Sequence, residues 1–347
     1  MSSPLVTAAA DPGAAVSSIG TPTLWAVSIG AVLALVLLDF LITRRPHEVS
    51  MREALGWSAF YIALPLAFGG WVWSQHGSGI GVEYYTGYLV EKSLSVDNLF
   101  VFMLLLAAFA VPKALQQRVL LIGVVGALLL RGVFIALGAQ MLKTFDWTFL
   151  LFGLVLLATG VKLLRDAVQG HDHEIDISRM RSVRVLRRVM PVRDGYHGTS
   201  MTVRDGSRRA LTPLALVTVA ILATDIVFAV DSVPAVYGIT GDPYLVFATN
   251  AFALLGLRAL YFVLEGALSK LVHLGYGLAA ILGFIGVKLV LHWAHGIWPA
   301  TPEVPTLASL GVIVGILALV TVTSLRASAR AEAAASEEPE AEPAAQH

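Results

Sequence analysis

The stretch Glu91–Phe102, EKSLSVDNLFVF, sets a glutamate, a lysine, an aspartate and an asparagine inside a run that is otherwise apolar enough to lie in a membrane. One ionisable side chain at bilayer depth costs roughly 2.5–3.5 kcal/mol on insertion scales. Glu91, Lys92 and Asp97 must therefore be hidden from lipid, paired, or put to use. Composition supports the membrane reading: of 347 residues 56% are hydrophobic and 14% charged, with a mean hydropathy of +0.75. The chain has no cysteine, which excludes disulfides, thiolate metal sites and cysteine nucleophiles and leaves carboxylate, amide, hydroxyl and histidine as ligand types. Formal net charge is zero, and no nucleic-acid partner is suggested.

A membrane-crossing helix needs about 20 apolar residues. Outward from Glu91, nine segments meet that need, roughly 23–43, 55–74, 83–110, 115–141, 147–165, 211–236, 244–267, 272–292 and 306–325. The expected fold is an all-α polytopic membrane protein of about nine spans. Arg44, Arg45 and Arg52 follow the first span, Lys113 and Arg118 the third, and ten arginines crowd the loop after the fifth. Positive charge gathers on the cytoplasmic side, so the expectation is a multi-pass protein of the cell membrane with its N-terminus outside. The expected divisions are an uncleaved, disordered tail over 1–22, two spans over 23–82, a first three-helix unit over 83–165, a basic cytoplasmic loop over 166–210, a second unit over 211–292, a ninth span over 293–325, and a disordered cytoplasmic tail over 326–347.

The two units are matched pairwise. Glu91-x5-Asp97-Asn98 resembles Asp225-x5-Asp231-Ser232; LLLRGVFIALGA around Arg131 resembles LGLRALYFVLEGA around Arg258; GVKLL with Lys162 resembles GVKLV with Lys288. Three pairs in one order predict a repeat. Because each unit holds three spans, the second enters the membrane inverted, and a shared site is expected near the midplane.

Positions six apart differ by about 240° around a helix, so Glu91 and Asp97 do not share a face. Glu91, Ser95 and Asn98 do, as do Asp225 and Ser232. Pro234 frees the carbonyl of Val230 and predicts local unwinding beside Asp231. These residues suggest an all-oxygen cation site, with Asp97, Asn98, Asp231 and Ser232 as inner ligands and Glu91 and Asp225 as further ligands or proton carriers. Hard oxygen donors suit manganese, magnesium and calcium. The plainer alternative is a structural network in which Lys92, Arg131 and Arg258 neutralise the acids; in the cation-site reading these three are counter-charge or coupling groups. Asn250 is expected to make a polar contact between helices, Asp39, Glu265, Lys162 and Lys288 to lie near interfaces, and the His171–Asp176 run HDHEID to be a solvated loop or a weak metal site.

EKSLSVDNLFVF and ATDIVFAVDSVPAVYGIT together closely resemble the paired signatures of the TerC family, with its Alx-like members. The resemblance spans roughly 24–325. It implies a fold similar to the LysE-type transporters, with inverted three-helix repeats, and a part in manganese(II) efflux, metal supply to exported proteins, or tellurium resistance. It also implies that Glu91, Asp97, Asn98, Asp225, Asp231 and Ser232 fill the family's acid positions. The expected function is export of a divalent cation, manganese first, coupled to protons. No permanently bound cofactor is expected, and the expected partners are the metal ion and the bilayer. A tellurite or stress factor acting indirectly or as a scaffold is the alternative, since clustered acids repel an oxyanion. An intramembrane aspartyl hydrolase is disfavoured because Asp225 and Asp231 face different ways and GxGD is absent.

Overall fold

The computed structural model describes residues 18–43, 49–145, 147–169, 183–184, 188, 191–192, 195–196, 198–205, 208–264 and 272–337. Nine helices and one hairpin are described: α1 (Pro22–Thr43), α2 (Met51–Ala108), α3 (Lys113–Thr144), α4 (Thr148–Val168), β1 (Thr202–Asp205), β2 (Arg208–Leu211), α5 (Pro213–Tyr237), α6 (Pro243–Leu255), α7 (Leu257–Leu264), α8 (Leu274–Ile297) and α9 (Thr306–Glu337). Among the described residues six helices are long and apolar enough to cross a membrane, or seven if α6 and α7, bent by 44° across Gly256, form one span. The expected spans at 55–74 and 83–110 both fall on α2.

That long helix is a hairpin. Gly77 has φ 87° and ψ 173°, a backbone open to glycine but strained for other residues. The chain reverses there, and the arms 51–76 and 78–108 run side by side. Tyr84 Oη donates to the Pro65 carbonyl at 3.0 Å and Tyr85 Oη to the Leu66 carbonyl at 2.8 Å. Gly69 sits under both rings, where a Cβ would come within 2.6–2.7 Å of them. The helix starts carry oxygen caps: Ser50 for α2, Thr212 for α5 and Asp242 for α6, the last two followed by a proline in the first turn.

Hydrophobicity does little to join helices inside lipid, so close backbone approach through small residues matters more. α4 and α8 pack in this way. A Cβ on Gly153 would stand 2.9 Å from the Gly286 carbonyl oxygen, and one on Gly160 would stand 3.1 Å from that of Ala279. In the other half of the bundle α2 packs on α6 and α5, and α3 on α5 and α6.

Three differences from expectation stand out. α5 stays helical through Pro234 to Tyr237 instead of unwinding at Asp231. Proline there removes a single bond close to the helix end, where the last turn is still held by Gly238 N on the Pro234 carbonyl at 2.9 Å. α9 runs on to Glu337, through residues expected to start a disordered tail, because the alanine-rich RASARAEAAASE favours helix strongly. The basic loop holds the antiparallel hairpin Thr202–Leu211, paired Thr202 to Leu211 and Val203 to Ala210, which periodicity did not signal.

Beside smaller ones around Tyr84 and Tyr61, two large apolar clusters fill most of the bundle core. One gathers Leu99, Phe102, Leu105, Leu120, Leu214 and Ile221; the other gathers Val90, Ile135, Val233, Val236, Tyr237 and Ile285. Along α3 the clusters leave a gap between Ala127 and Ile135, and along α5 between Ile221 and Ala229 or Val233. Arg131 and Asp225 fall in those gaps.

Candidate functional site

The polar layer between the two clusters is built around Arg131, whose side chain is 1% exposed. The hand of the α-helix sets its members. On α2, Glu91, Ser95 and Asn98 share one stripe, and all three are buried; on α5, Asp225 and Ser232 share another, and both are buried. Asn250, from α6, closes the layer and is also buried.

The guanidinium reaches across these elements. Arg131 Nη1 donates to Glu91 Oε1 in a buried ion pair and to Asn250 Oδ1 at 3.0 Å. Arg131 Nη2 lies 3.6 Å from Asp225 Oδ1, an ion-pair separation longer than a hydrogen bond. With its amide turned so that oxygen faces the arginine, Asn98 accepts from Nη2 at 3.0 Å while its nitrogen donates to the Leu94 carbonyl at 3.1 Å. Asn250 is held in place from its own helix, its Nδ2 donating to the Val246 carbonyl at 3.0 Å. Asp231 is half-buried on another face of α5, as the spacing of six requires, and its carboxylate acts electrostatically on the same guanidinium.

Several oxygens of this layer have no hydrogen-bond partner among the described residues: Glu91 Oε2, both carboxylate oxygens of Asp225, and the hydroxyls of Ser95 and Ser232. Arg131 Nε is likewise without one. A buried polar group left unmatched costs about 1–3 kcal/mol, more when charged. The layer thus carries more acceptor oxygens than one guanidinium can use. Among the described residues no three acidic or histidine side chains are drawn together closely enough to hold a metal ion. As it stands, the cluster is organised by a cation belonging to the chain itself.

The sequence-derived site is therefore gathered in part. Glu91, Asn98, Asp225 and Ser232 lie in one buried layer, Asp231 at its edge; the Asp97 side chain falls outside the described residues, though its backbone is on α2. Among the described side chains Glu91 and Asp225 are the deepest acids, and Asp231, expected as an inner ligand, is only half-buried. The three counter-charges separate. Arg131 joins the acids, and Asn250, expected as a contact between helices, joins them too. Arg258 does not: its Nε and Nη2 donate to both oxygens of Asp39 at 3.0 and 2.5 Å, and its Nη1 donates to Gln117 Oε1 at 3.2 Å. Asp39, expected at an interface, is buried in that pair. Lys92 Nζ donates to the Ala253 carbonyl at 3.3 Å, beside the break between α6 and α7. Lys162 is exposed and Lys288 half-buried. Glu265 and the His171–Asp176 run lie outside the described residues.

Beyond the second apolar cluster opens a cavity of about 570 Å³ lined by Tyr237, Lys288, His292 and Glu303 among others. Tyr237 forms its inner wall, its hydroxyl donating to the Ile135 carbonyl at 2.8 Å, one turn along α3 from Arg131.

A family model described as integral membrane protein TerC family matches residues 76–332, which contain every member of the layer. The chain belongs to the TerC family. Its relatives span nearly the whole length. One is an uncharacterized membrane protein of Myxococcus xanthus, 40% identical over 309 residues, 89% of this chain and 93% of the relative. Another, from Mycobacterium tuberculosis H37Rv, also named only as an uncharacterized membrane protein, is 41% identical over 311 residues, 86% of this chain and 78% of the relative. A third, from Escherichia coli K12, carries the name "putative membrane-bound redox modulator Alx" and is 38% identical over 314 residues, 87% of this chain and 94% of the relative. No solved structure matches the chain. TerC membership and several long apolar helices make this a multi-pass membrane protein.

Proposed function

We propose that this TerC-family chain is a secondary active transporter of the cell membrane that exports a divalent metal cation, manganese(II) first, in exchange for protons. The observation that carries the reading is the surplus of buried oxygen: Glu91 and Asp225 bring two carboxylates to a layer with one guanidinium, and three of their four oxygens have no hydrogen-bond partner among the described residues. Carboxylate and amide oxygens without sulfur are the donor set of hard divalent ions. When the cation leaves, the acids left behind are neutralised most simply by protons, which gives the exchange its coupling ion.

The architecture is a pair of inverted three-helix units, α2 (second arm)–α3–α4 and α5–(α6–α7)–α8, with the N-terminus outside and the two arms of α2 bringing the spans to nine. Reciprocal packing supports it: the first helix of each unit meets the second of the other, and the third helices α4 and α8 meet one another. The cavity at Tyr237 lies on the side that this topology makes extracytoplasmic, a fitting exit for the released ion.

The name of the Escherichia coli relative points to redox modulation. This chain has no cysteine and so brings no thiol of its own to redox chemistry. A redox effect in this member follows from metal supply to other proteins.

The test is flux into proteoliposomes holding the purified chain, with Mn²⁺, Mg²⁺ and Ca²⁺ offered in turn under an imposed pH gradient. Mn²⁺ movement that the gradient drives and that Asp225→Asn abolishes is the expected result. Flux no greater than in protein-free liposomes, for all three ions, would contradict the proposal.

A further inference from the structure

Resting on the cation-transport reading, we infer that Arg131 is a tethered occupant of the cation site, which the transported ion displaces and which returns to expel it.

The inference comes from a count of oxygens. Arginine has N–H donors and no acceptor, so every group that it touches is an acceptor. Those groups are Glu91 Oε1, Asn250 Oδ1 and, in its satisfied orientation, Asn98 Oδ1, with Asp225 Oδ1 at ion-pair distance. They are also the oxygens that a divalent ion would use. An octahedral oxygen site needs about six ligands. With Arg131 in place, the oxygens of Glu91 and Asp225 without hydrogen bonds among the described residues number three, and they stand beside a positive charge. With Arg131 withdrawn, both oxygens of each acid and the two amide oxygens come to six. The guanidinium and the ion therefore compete for one set of acceptors instead of occupying neighbouring places.

The surroundings suit exchange better than permanence. A guanidinium that serves only structure is best held by a planar fork, with two parallel bonds to a single carboxylate. Among the described residues Arg131 has no such fork: its contacts fan out to side chains on α2, α5 and α6, and its Nε has no hydrogen-bond partner there. Each contact is one that an ion could replace singly. A tethered cation also compensates one of the two acids while the transporter reorients without cargo, and the coupling proton covers the other, so that the empty return does not carry two uncovered carboxylates through the bilayer core.

The test is Mn²⁺ binding to the full chain in detergent by titration calorimetry, with Arg131→Gln and Arg131→Lys beside the unaltered protein. Removing a competitor strengthens binding: Arg131→Gln should bind Mn²⁺ at least tenfold more tightly, and Mn²⁺ should raise its melting temperature by more than it raises that of the unaltered chain. Arg131→Lys keeps a charge able to compensate the acids but cannot bridge their spread, and it should fall between the two. In proteoliposomes the tight-binding variant should release its ion slowly and lose turnover. Equal or weaker Mn²⁺ binding in both variants, with binding intact in the unaltered protein, would overturn the inference and leave the transport reading standing. No Mn²⁺ binding to any of the three would instead sink the transport reading, and this inference with it.

Discussion

Arg131 and Arg258 stand in similar stretches of sequence, LLLRGVF and LGLRALY, and the fold completes them differently. Arg258 meets Asp39 as fork on fork and has Gln117 on its remaining arm, so that its charge is balanced and its donors are spent locally. Arg131 faces Glu91, Asp225, Asn98 and Asn250 with acceptors to spare. Of two arginines in similar sequence, one has become a closed structural pair and the other an open, over-supplied centre. Saturation marks a group that is held, and surplus marks one that can be exchanged.

The comparison breaks first at its structural end. Removing one member of a buried pair strands the other, at about 3–5 kcal/mol. Asp39→Leu should lower the melting temperature in detergent sharply, and Asp39→Leu with Arg258→Leu should recover most of the loss, because two apolar side chains leave no buried charge stranded. Failure of the double variant to recover would show that the pair does more than neutralise itself. At the open end the expectation is reversed. Asp225→Asn leaves Arg131 its partners Glu91, Asn98 and Asn250, so the stability cost should be about 1–3 kcal/mol while Mn²⁺ flux disappears. A loss as large as that of Asp39→Leu would make the two arginines equivalent. The smallest effect belongs to Lys92, which belongs to neither centre. Lys92→Met gives up one hydrogen bond to a carbonyl, worth about 0.5–1.5 kcal/mol, and should leave flux per folded molecule unchanged; a silenced transporter would return Lys92 to the site as its counter-charge.

Much of this could be read from the residues. Hydropathy places the helices, and the helical period correctly groups Glu91 with Ser95 and Asn98, and Asp225 with Ser232, while turning Asp231 aside. Periodicity tells which residues of one helix share a face; it does not tell which neighbour that face meets. For that reason Arg131 and Arg258, similar in local context, could not be told apart, and Asn250, expected as a polar contact between helices, makes one to a partner, Arg131, that periodicity does not name. Asp39 misled for a related reason: closeness to a span end in sequence says nothing of a neighbouring helix that covers it. The helical α5 at Pro234 and the long α9 are cases where local hydrogen bonding and alanine's helix preference outweigh the breaker and the polar composition. The Gly77 reversal falls in the gap expected between the second and third spans.

One experiment weighs the open centre against the closed one: pH-driven Mn²⁺ flux in proteoliposomes, compared among the unaltered chain, Asp225→Asn, and Asp39→Leu with Arg258→Leu, each scaled to folded protein. Flux abolished by Asp225→Asn and retained by the double variant is what the geometry predicts. Flux retained by Asp225→Asn, or lost equally in both, would contradict the assignment of the Arg131 layer as the transport site.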